Sequence, residues 1–276
     1  MKTLSSILTL VLIALAGSAN AQNFRDFHNH NTELKALQPN WVGPLVTTNP
    51  LISQNFREQF TRQRIPGGDS VWNIGNGKGP ALILSSRVET DFAVPNYVVH
   101  GASSGTDGVG DFGLTTKYRI ASGNRDHGNY IVSAVANQTW STGLVKNGAI
   151  SWTRSITLAG GKTLGNISVL SSLGAVIPAT SGLASIGHPI TWNSAFEIHV
   201  SPKLWAQLES NSTFYSGGTH DGKKQNFVTP GVLVSPLKPW GESSKSSLMF
   251  GAGMQFATTR YHATDHNLIV DTKFVF

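Results

Sequence analysis

The sequence predicts an all-β protein, a closed antiparallel transmembrane β-barrel of about 12 strands, within a range of roughly 10 to 14. Three observations predict it. The 276 residues carry 13% charged and 39% hydrophobic side chains, about half the charge of a soluble domain. After the first two dozen residues no apolar run approaches the ~18 residues of a membrane helix. Apolar and polar residues instead alternate with period two along most of the chain.

The elements follow in order. Met1 to Ala21 reads as a signal peptide, with Lys2 at its start, an apolar stretch from Ile7 to Ala16, and Ala19-Asn20-Ala21 as a small-x-small cleavage site. Residues 22–40 are assigned to an N-terminal segment, periplasmic or plugging, and residues 41–276 to the barrel. Thr32 to Leu37 has room for one or two helical turns. Strands are expected near Ile52 to Phe60, along a single run from Leu82 to Val94, from Phe112 to Ile120, and over Tyr130 to Trp140, Ile150 to Leu158 and Ile167 to Ile177. Further strands are expected from Ile190 to Ser201 and from Leu204 to Phe214, which a Pro202-Lys203 turn joins as a hairpin, then over Gln225 to Val234, Leu248 to Thr258 and Asn267 to Phe276. Turn chemistry marks joins at Gly75-Asn76-Gly77, Asp107-Gly108, Gly160-Gly161 and Asp221-Gly222.

These are eleven strands, and a single-chain bacterial barrel needs an even number. Trp41 to Thr48, closed by Asn49-Pro50, is the first candidate for the twelfth, and Val71 to Ile74 the alternative. Arg154 shares parity with Ile150, Trp152, Ile156 and Leu158. Either its strand carries a bulge or Arg154 snorkels at an interface.

The chemistry of the two faces separates this barrel from a soluble sandwich. The apolar face accepts Ser86, Thr90, Thr116 and Ser194, which interlocking core packing would not favour. Leu82, Leu84, Val88, Phe92, Phe112, Leu114, Trp192, Phe196, Ile198, Leu268, Val270 and Phe274 are therefore expected to face lipid. Arg57, Arg87, Glu89, Asp91, Lys117, Arg119, Glu197, His199, Gln207, Glu209 and Asn211 fall on the opposite face and are expected to line the lumen. Tyr130, Trp140, Trp152, Trp192, Phe214, Tyr261 and Phe274 suit interfacial girdles. Leu268, Val270, Thr272, Phe274 and Phe276 alternate up to a terminal aromatic carboxylate, similar to the assembly signal of bacterial outer-membrane barrels.

Leu37-Gln38-Pro39-Asn40-Trp41, Val46-Thr47-Thr48-Asn49-Pro50, Gly108-Val109-Gly110-Asp111-Phe112-Gly113 running into Lys117-Tyr118-Arg119, and the terminal Phe strand resemble the outer-membrane barrel family named after the MetA pathway of phenol degradation. The resemblance spans about Leu37 to Phe276. It implies a bacterial outer-membrane channel or transporter for aromatic or other hydrophobic compounds, with no catalytic motif to carry over.

Other motifs carry little chemistry. Gly101-Ala102-Ser103-Ser104-Gly105 matches G-x-S-x-G, but no strand-to-helix elbow follows to expose the serine. His28-Asn29-His30 lacks a third metal ligand. His199 and Ser201, two apart on one strand, stand ~6.6–6.8 Å from each other, too far for a nucleophile and its base. Gly110 and Gly113 precede no helix N-terminus that could hold phosphate. With no Cys, thiol catalysis is excluded, and the scattered Lys and Arg behind the net charge of +6 give no nucleic-acid footprint.

The expectation is thus a non-enzymatic barrel without metal or cofactor in the bacterial outer membrane. Its partners would be outer-membrane lipid, the outer-membrane assembly machinery and a small-molecule solute. Passive uptake through the lumen, or sideways through the wall, is the leading function. A non-conducting structural or adhesion barrel and a soluble secreted β-sandwich are the alternatives.

Overall fold

Alternating side chains give each strand one greasy and one polar face, and the sheet they form closes on itself. The computed structural model describes residues 32–101, 105–144, 147–241 and 243–276. The expected signal peptide, His28-Asn29-His30 and the middle of Gly101 to Gly105 lie outside the described residues. A short helix, α1, covers 32–36, and an irregular segment leads from it to residue 54. The strands are β1 (Asn55–Arg64), β2 (Ser70–Ile74), β3 (Pro80–Ser85), β4 (Val88–Ala93), β5 (Tyr97–His100), β6 (Gly108–Val109), β7 (Phe112–Gly123), β8 (Tyr130–Trp140), β9 (Thr153–Leu164) and β10 (Ile167–Pro178). Helix α2 (Thr180–Ile186) sits in the loop that follows. Strands β11 (Ile190–Ser201), β12 (Leu204–Phe214), β13 (Lys224–Leu237), β14 (Ser247–Ala257) and β15 (His266–Val275) complete the chain.

Consecutive strands pair antiparallel from β7 to β15, and β15 pairs with β1 from Asn55↔Val275 to Arg64↔His266, which closes the ring. The other edge of β1 is shared. Phe60 to Arg64 pair with β2, and Asn55 and Phe56 pair with β3. Three crossings are each built from two collinear pieces, β2 with β3, β4 with β5, and β6 with β7. The wall accordingly has twelve crossings, a closed 12-strand antiparallel barrel. Both chain ends lie at one rim, which we call the terminal end. The loops after β1, β5, β8, β10, β12 and β14 lie at the opposite end.

Several expectations change. The run from Leu82 to Val94 is a hairpin, turning at Ser86-Arg87 between β3 and β4. Leu82 pairs with Thr90 and Ile83 with Glu89, and an irregularity between Ile83 and Ser85 beside the turn leaves even-numbered residues outward on both arms. That split supplies the missing crossing. Val71 to Ile74 is the upper half of its first arm, while Trp41 to Thr48 forms no strand. Gly160-Gly161 is no turn but lies inside β9. β9 pairs without a bulge on either side. Arg154 is exposed on the outer face, its guanidinium 4.8 Å from the Trp152 ring centroid and its Nε donating to Gln138 at 2.8 Å.

The outer face is apolar: Leu84 is 63% exposed, Phe196 49%, Leu208 50% and Phe256 46%. Trp72, Trp152, Trp192 and the stacked Phe112–Trp140 pair ring the end opposite the termini. Phe274, against Trp240 and Phe276, marks the terminal end. Tyr261 is not part of a girdle. It lies in the 258–265 loop, edge-on to Tyr215 and beside His220.

Candidate functional site

Residues 37–54 run through the barrel instead of along its wall. Their apolar side chains build a small core inside it, where Trp41, Leu45 and Leu51 join Ile131, Leu170, Ala195, Trp205, Leu233, Met249 and Ile269. Leu34 and Ile52 pack with Ile83 in a second cluster. Glycines on the inner face make room for Leu45: a Cβ on Gly251 would stand 2.8 Å from Leu45 Cδ2, and one on Gly253 2.7 Å from Leu45 Cδ1.

Polar anchoring is the stronger feature, because an irregular segment has backbone groups that no ladder satisfies. The Glu209 carboxylate accepts the amides of Leu45 at 2.8 Å, Val46 at 3.1 Å and Thr47 at 2.6 Å, and Gln207 Nε2 at 2.7 Å. Glu89 accepts the Ser53 amide and Lys117 Nζ, and Lys117 also donates to the Leu51 carbonyl at 2.7 Å. Arg57 holds Asp271 through Nε at 2.8 Å, and its Nη2 reaches the Pro44 and Leu45 carbonyls. Gln59 Nε2 donates to Leu45 O at 2.9 Å, Ser133 Oγ to Pro50 O at 2.7 Å, and Asn211 Nδ2 to Thr47 Oγ1 at 3.2 Å. Gln38 and Ile52 exchange two bonds within the segment.

The expected lumen set is therefore brought together, with one exception and a different immediate task. Arg57, Glu89, Asp91, Lys117, Arg119, Glu197, His199, Gln207, Glu209 and Asn211 project from inward-facing strand positions. Several of them grip a segment of the same chain. Arg87 is not in the lumen: it is exposed in the β3–β4 turn, where its carbonyl accepts the Arg119 amide. Arg119 is buried and donates to the neighbouring Ser86 carbonyl at 2.6 Å. His199 stacks on Trp205 with centroids 4.1 Å apart. The residues expected on the lipid side project outward, although Val88 sits beside the β3–β4 turn and not at mid-wall.

Cavities lie on both sides of the segment. One of about 260 Å³ is bounded by residues 46–49 of the segment, by Glu89, Asp91 and Lys117, and by Gly77, Lys78 and Gly79. On the terminal side, spaces of about 220 and 490 Å³ meet Lys35, Gln38, Asn40, His199 and Trp205. Burial holds the Lys35 ammonium below its ordinary pKa of 10.5.

The first cavity adjoins a discontinuity in the wall. Crossings two, three and four are interrupted at 75–79, 94–96 and 110–111. Backbone bonds from Arg57 to Gly79, Val94 to Lys78 and Gly110 to Asn96 bridge it, together with side-chain amides. Asn96 donates to Asn73 at 2.9 Å and Asn76 to Gln59. Gly75, Asn76 and Gly77 all take positive φ, at 88°, 44° and 63°. The resulting turn breaks the alternation and brings Lys78 to the inner cavity. On the outer face Glu58 sits between Phe56 and Phe60, and its Oε2 would lie 3.5 Å from a Cβ on Gly75.

The sequence does not mark Lys78 or Glu58, because Gly75-Asn76-Gly77 has the composition of an ordinary turn and β1 has the pattern of a plain crossing. Asp271 and Lys273 are missing from the expected lumen set although the sequence marks them: they alternate with Val270, Thr272 and Phe274 and so face inward.

No protein-family model and no curated protein matches the sequence. Among solved structures, the COG4313 outer membrane channel from Pseudomonas putida F1 superposes with a TM-score of 0.56 at 14% identity, over 86% of this chain and 100% of that one. The translocator domain of the autotransporter NalP from Neisseria meningitidis gives 0.46 at 9% identity, over 97% and 98%. Pseudomonas aeruginosa OccD3 gives 0.40 at 10%, over 83% and 66%. What this chain shares with the P. putida channel is the fold, a closed antiparallel β-barrel.

Proposed function

We propose that the protein is an outer-membrane channel for passive uptake of small molecules, held closed at rest by its own N-terminal segment. One observation carries the reading. An outer face that suits lipid surrounds an interior with cavities on both sides of an occluding segment, and that segment is fixed largely by hydrogen bonds that water can replace. A purely structural barrel could fill its lumen with interlocking side chains and would need neither the cavities nor the discontinuity.

The discontinuity also supports sideways passage. An outward carboxylate at mid-wall, such as Glu58, is costly against hydrocarbon, and an opening that admits water beside Gly75 relieves that cost. Solute entering the 260 Å³ cavity would leave through the lumen when residues 41–54 shift, or laterally between β2–β3 and β4–β5. Export by the Met1–Ala21 signal, delivery by the assembly machinery through the terminal Phe276, and membership of the MetA-pathway family belong to the same proposal. The family reading rests on Leu37 to Trp41 and Val46 to Pro50 in the plugging segment, Gly108 to Gly113 at the wall discontinuity, Lys117 to Arg119 in β7 and the terminal Phe strand.

Swelling of proteoliposomes containing the full chain, with solutes of increasing size and hydrophobicity, tests the reading. Uptake above empty liposomes is expected for small solutes. Impermeability to all of them, from protein whose folded form is confirmed by gel mobility, would leave the non-conducting barrel.

A further inference from the structure

We infer that the 260 Å³ cavity is a recognition subsite for a small carboxylate that also bears a hydrogen-bond donor, with Lys78 receiving the carboxylate and Asp91 the donor. The inference rests on the channel reading and names its substrate class. Of the six charged residues that line the cavity, Arg57 is paired with Asp271, Lys117 with Glu89, and Lys273 donates to the Val42 carbonyl at 3.4 Å. Lys78 is not engaged. Among the described residues its ammonium makes no hydrogen bond or ion pair, yet the residue lines the cavity. Asp91, on the neighbouring crossing, lines the same cavity, and its Oδ1 is buried with no hydrogen-bond partner among the described residues. Lys78 Nζ and Asp91 Oδ1, of opposite charge, lack hydrogen bonds, which burial makes costly, and one ligand carrying both complements would supply them.

The backbone commits to this arrangement. Inward positions on β2 and β3 are odd-numbered, as Val71, Ala81 and Ile83 show, so a regular strand would turn Lys78 outward. Three successive residues at positive φ reverse that. Gly and Asn are the residues that tolerate this conformation, and its product is a lysine facing an internal cavity. The rest of the lining divides into hydroxyl and amide groups, Thr47, Thr115 and Asn137, and an apolar part, Val46, Leu51 and Val135. An anion with a compact apolar body matches both. The volume lies below the ~300–1,000 Å³ typical of drug-sized ligands, so the occupant is small.

The probes are 4-hydroxybenzoate and its neutral isostere 4-hydroxybenzamide, titrated calorimetrically into the full chain in detergent micelles. The acid is expected to bind at least tenfold more tightly than the amide. K78M should abolish that preference, K78R should keep it within about threefold, and D91N should weaken the acid while leaving its preference over the amide. Equal affinity for acid and amide in the wild-type protein, or undiminished acid binding by K78M, overturns the subsite. So does the absence of measurable binding by the acid. If K78M does not fold, the wild-type acid-to-amide ratio decides alone. Binding in micelles requires no flux, so an impermeable protein that still prefers the acid sinks the channel reading only. A permeable protein without the preference sinks the subsite only.

Discussion

Glu209 Oε2 accepts the Thr47 amide at 2.6 Å across 162 residues of sequence, and the same carboxylate takes the two preceding amides. Three successive N–H groups converging on one carboxylate form an anion nest, here with the anion supplied by the wall. A hydrogen bond to a charged group contributes about 1.5–3 kcal/mol, and 1.4 kcal/mol is about tenfold in an equilibrium. We predict that E209Q raises amide exchange at residues 45–47 by roughly 10- to 100-fold while exchange in β7 to β15 is unchanged. Unaltered protection at 45–47 would mean that the segment is held by its apolar contacts alone.

Leu45 is fitted closely against the inner face at Gly251. G251V places methyl groups where Leu233 Cδ2 and Leu45 Cδ2 stand 2.7 and 2.8 Å from the added Cβ position. Overpacking of this kind costs about 1–3 kcal/mol. Because the strands are hydrogen-bonded on both sides and the segment is not, the strain should displace the segment. Limited proteolysis should cut within 41–54 in G251V and not in the wild-type protein, with the folded gel mobility retained in both.

Lipid contact at mid-wall predicts a position-dependent cost for a buried cation. Leu208 is half exposed near the middle of β12, so L208R should destabilise the barrel by about 2–4 kcal/mol, whereas V88R beside the β3–β4 turn should cost about 0–1 kcal/mol. Equilibrium unfolding in lipid vesicles distinguishes them. Equal costs, or a larger cost for V88R, would place the hydrocarbon elsewhere.

His262, in the loop before β15, bonds the Thr259 carbonyl through Nδ1 at 2.7 Å and Asp265 through Nε2 at 3.0 Å. The carbonyl bond, the largest influence, raises the imidazole above its ordinary 6.5; desolvation, second in size, opposes it, and the Asp265 bond and charge add to the rise. A raised folded pKa stabilises the protonated loop. The contribution is complete below pH 6.5 and fades as pH climbs through the raised value. Exchange protection across 258–265, corrected for intrinsic rates, should fall between pH 5.5 and pH 8.5, and H262Q should remove the difference. A rise in protection with pH would reverse the assigned roles.

The strands from β7 onward were legible because each has one outward and one inward row, so parity alone assigns Phe196 outward and Glu197 inward. Crossings two to four were less so. β3 and β4 keep parity through their turn and look like one strand, while Gly75 to Gly79 loses parity and hides Lys78. Trp41 to Thr48 failed for another reason. Alternating Trp41, Gly43 and Leu45 suits a strand, but the same apolar residues also suit a segment threaded against the Gly251–Gly253 trench, and only tertiary contact decides. The charged lumen residues were found by face, yet their partners were not, because a backbone amide leaves no mark in a sequence.

Conductance of the full chain in planar bilayers, compared between the wild-type protein and the E209A/G251V double variant, tests occlusion most directly. We predict small or infrequent openings for the wild type and larger, persistent openings for the double variant at matched protein insertion. Identical conductance, with proteolysis confirming that residues 41–54 have left the lumen in the double variant, would contradict the claim that this segment closes the channel.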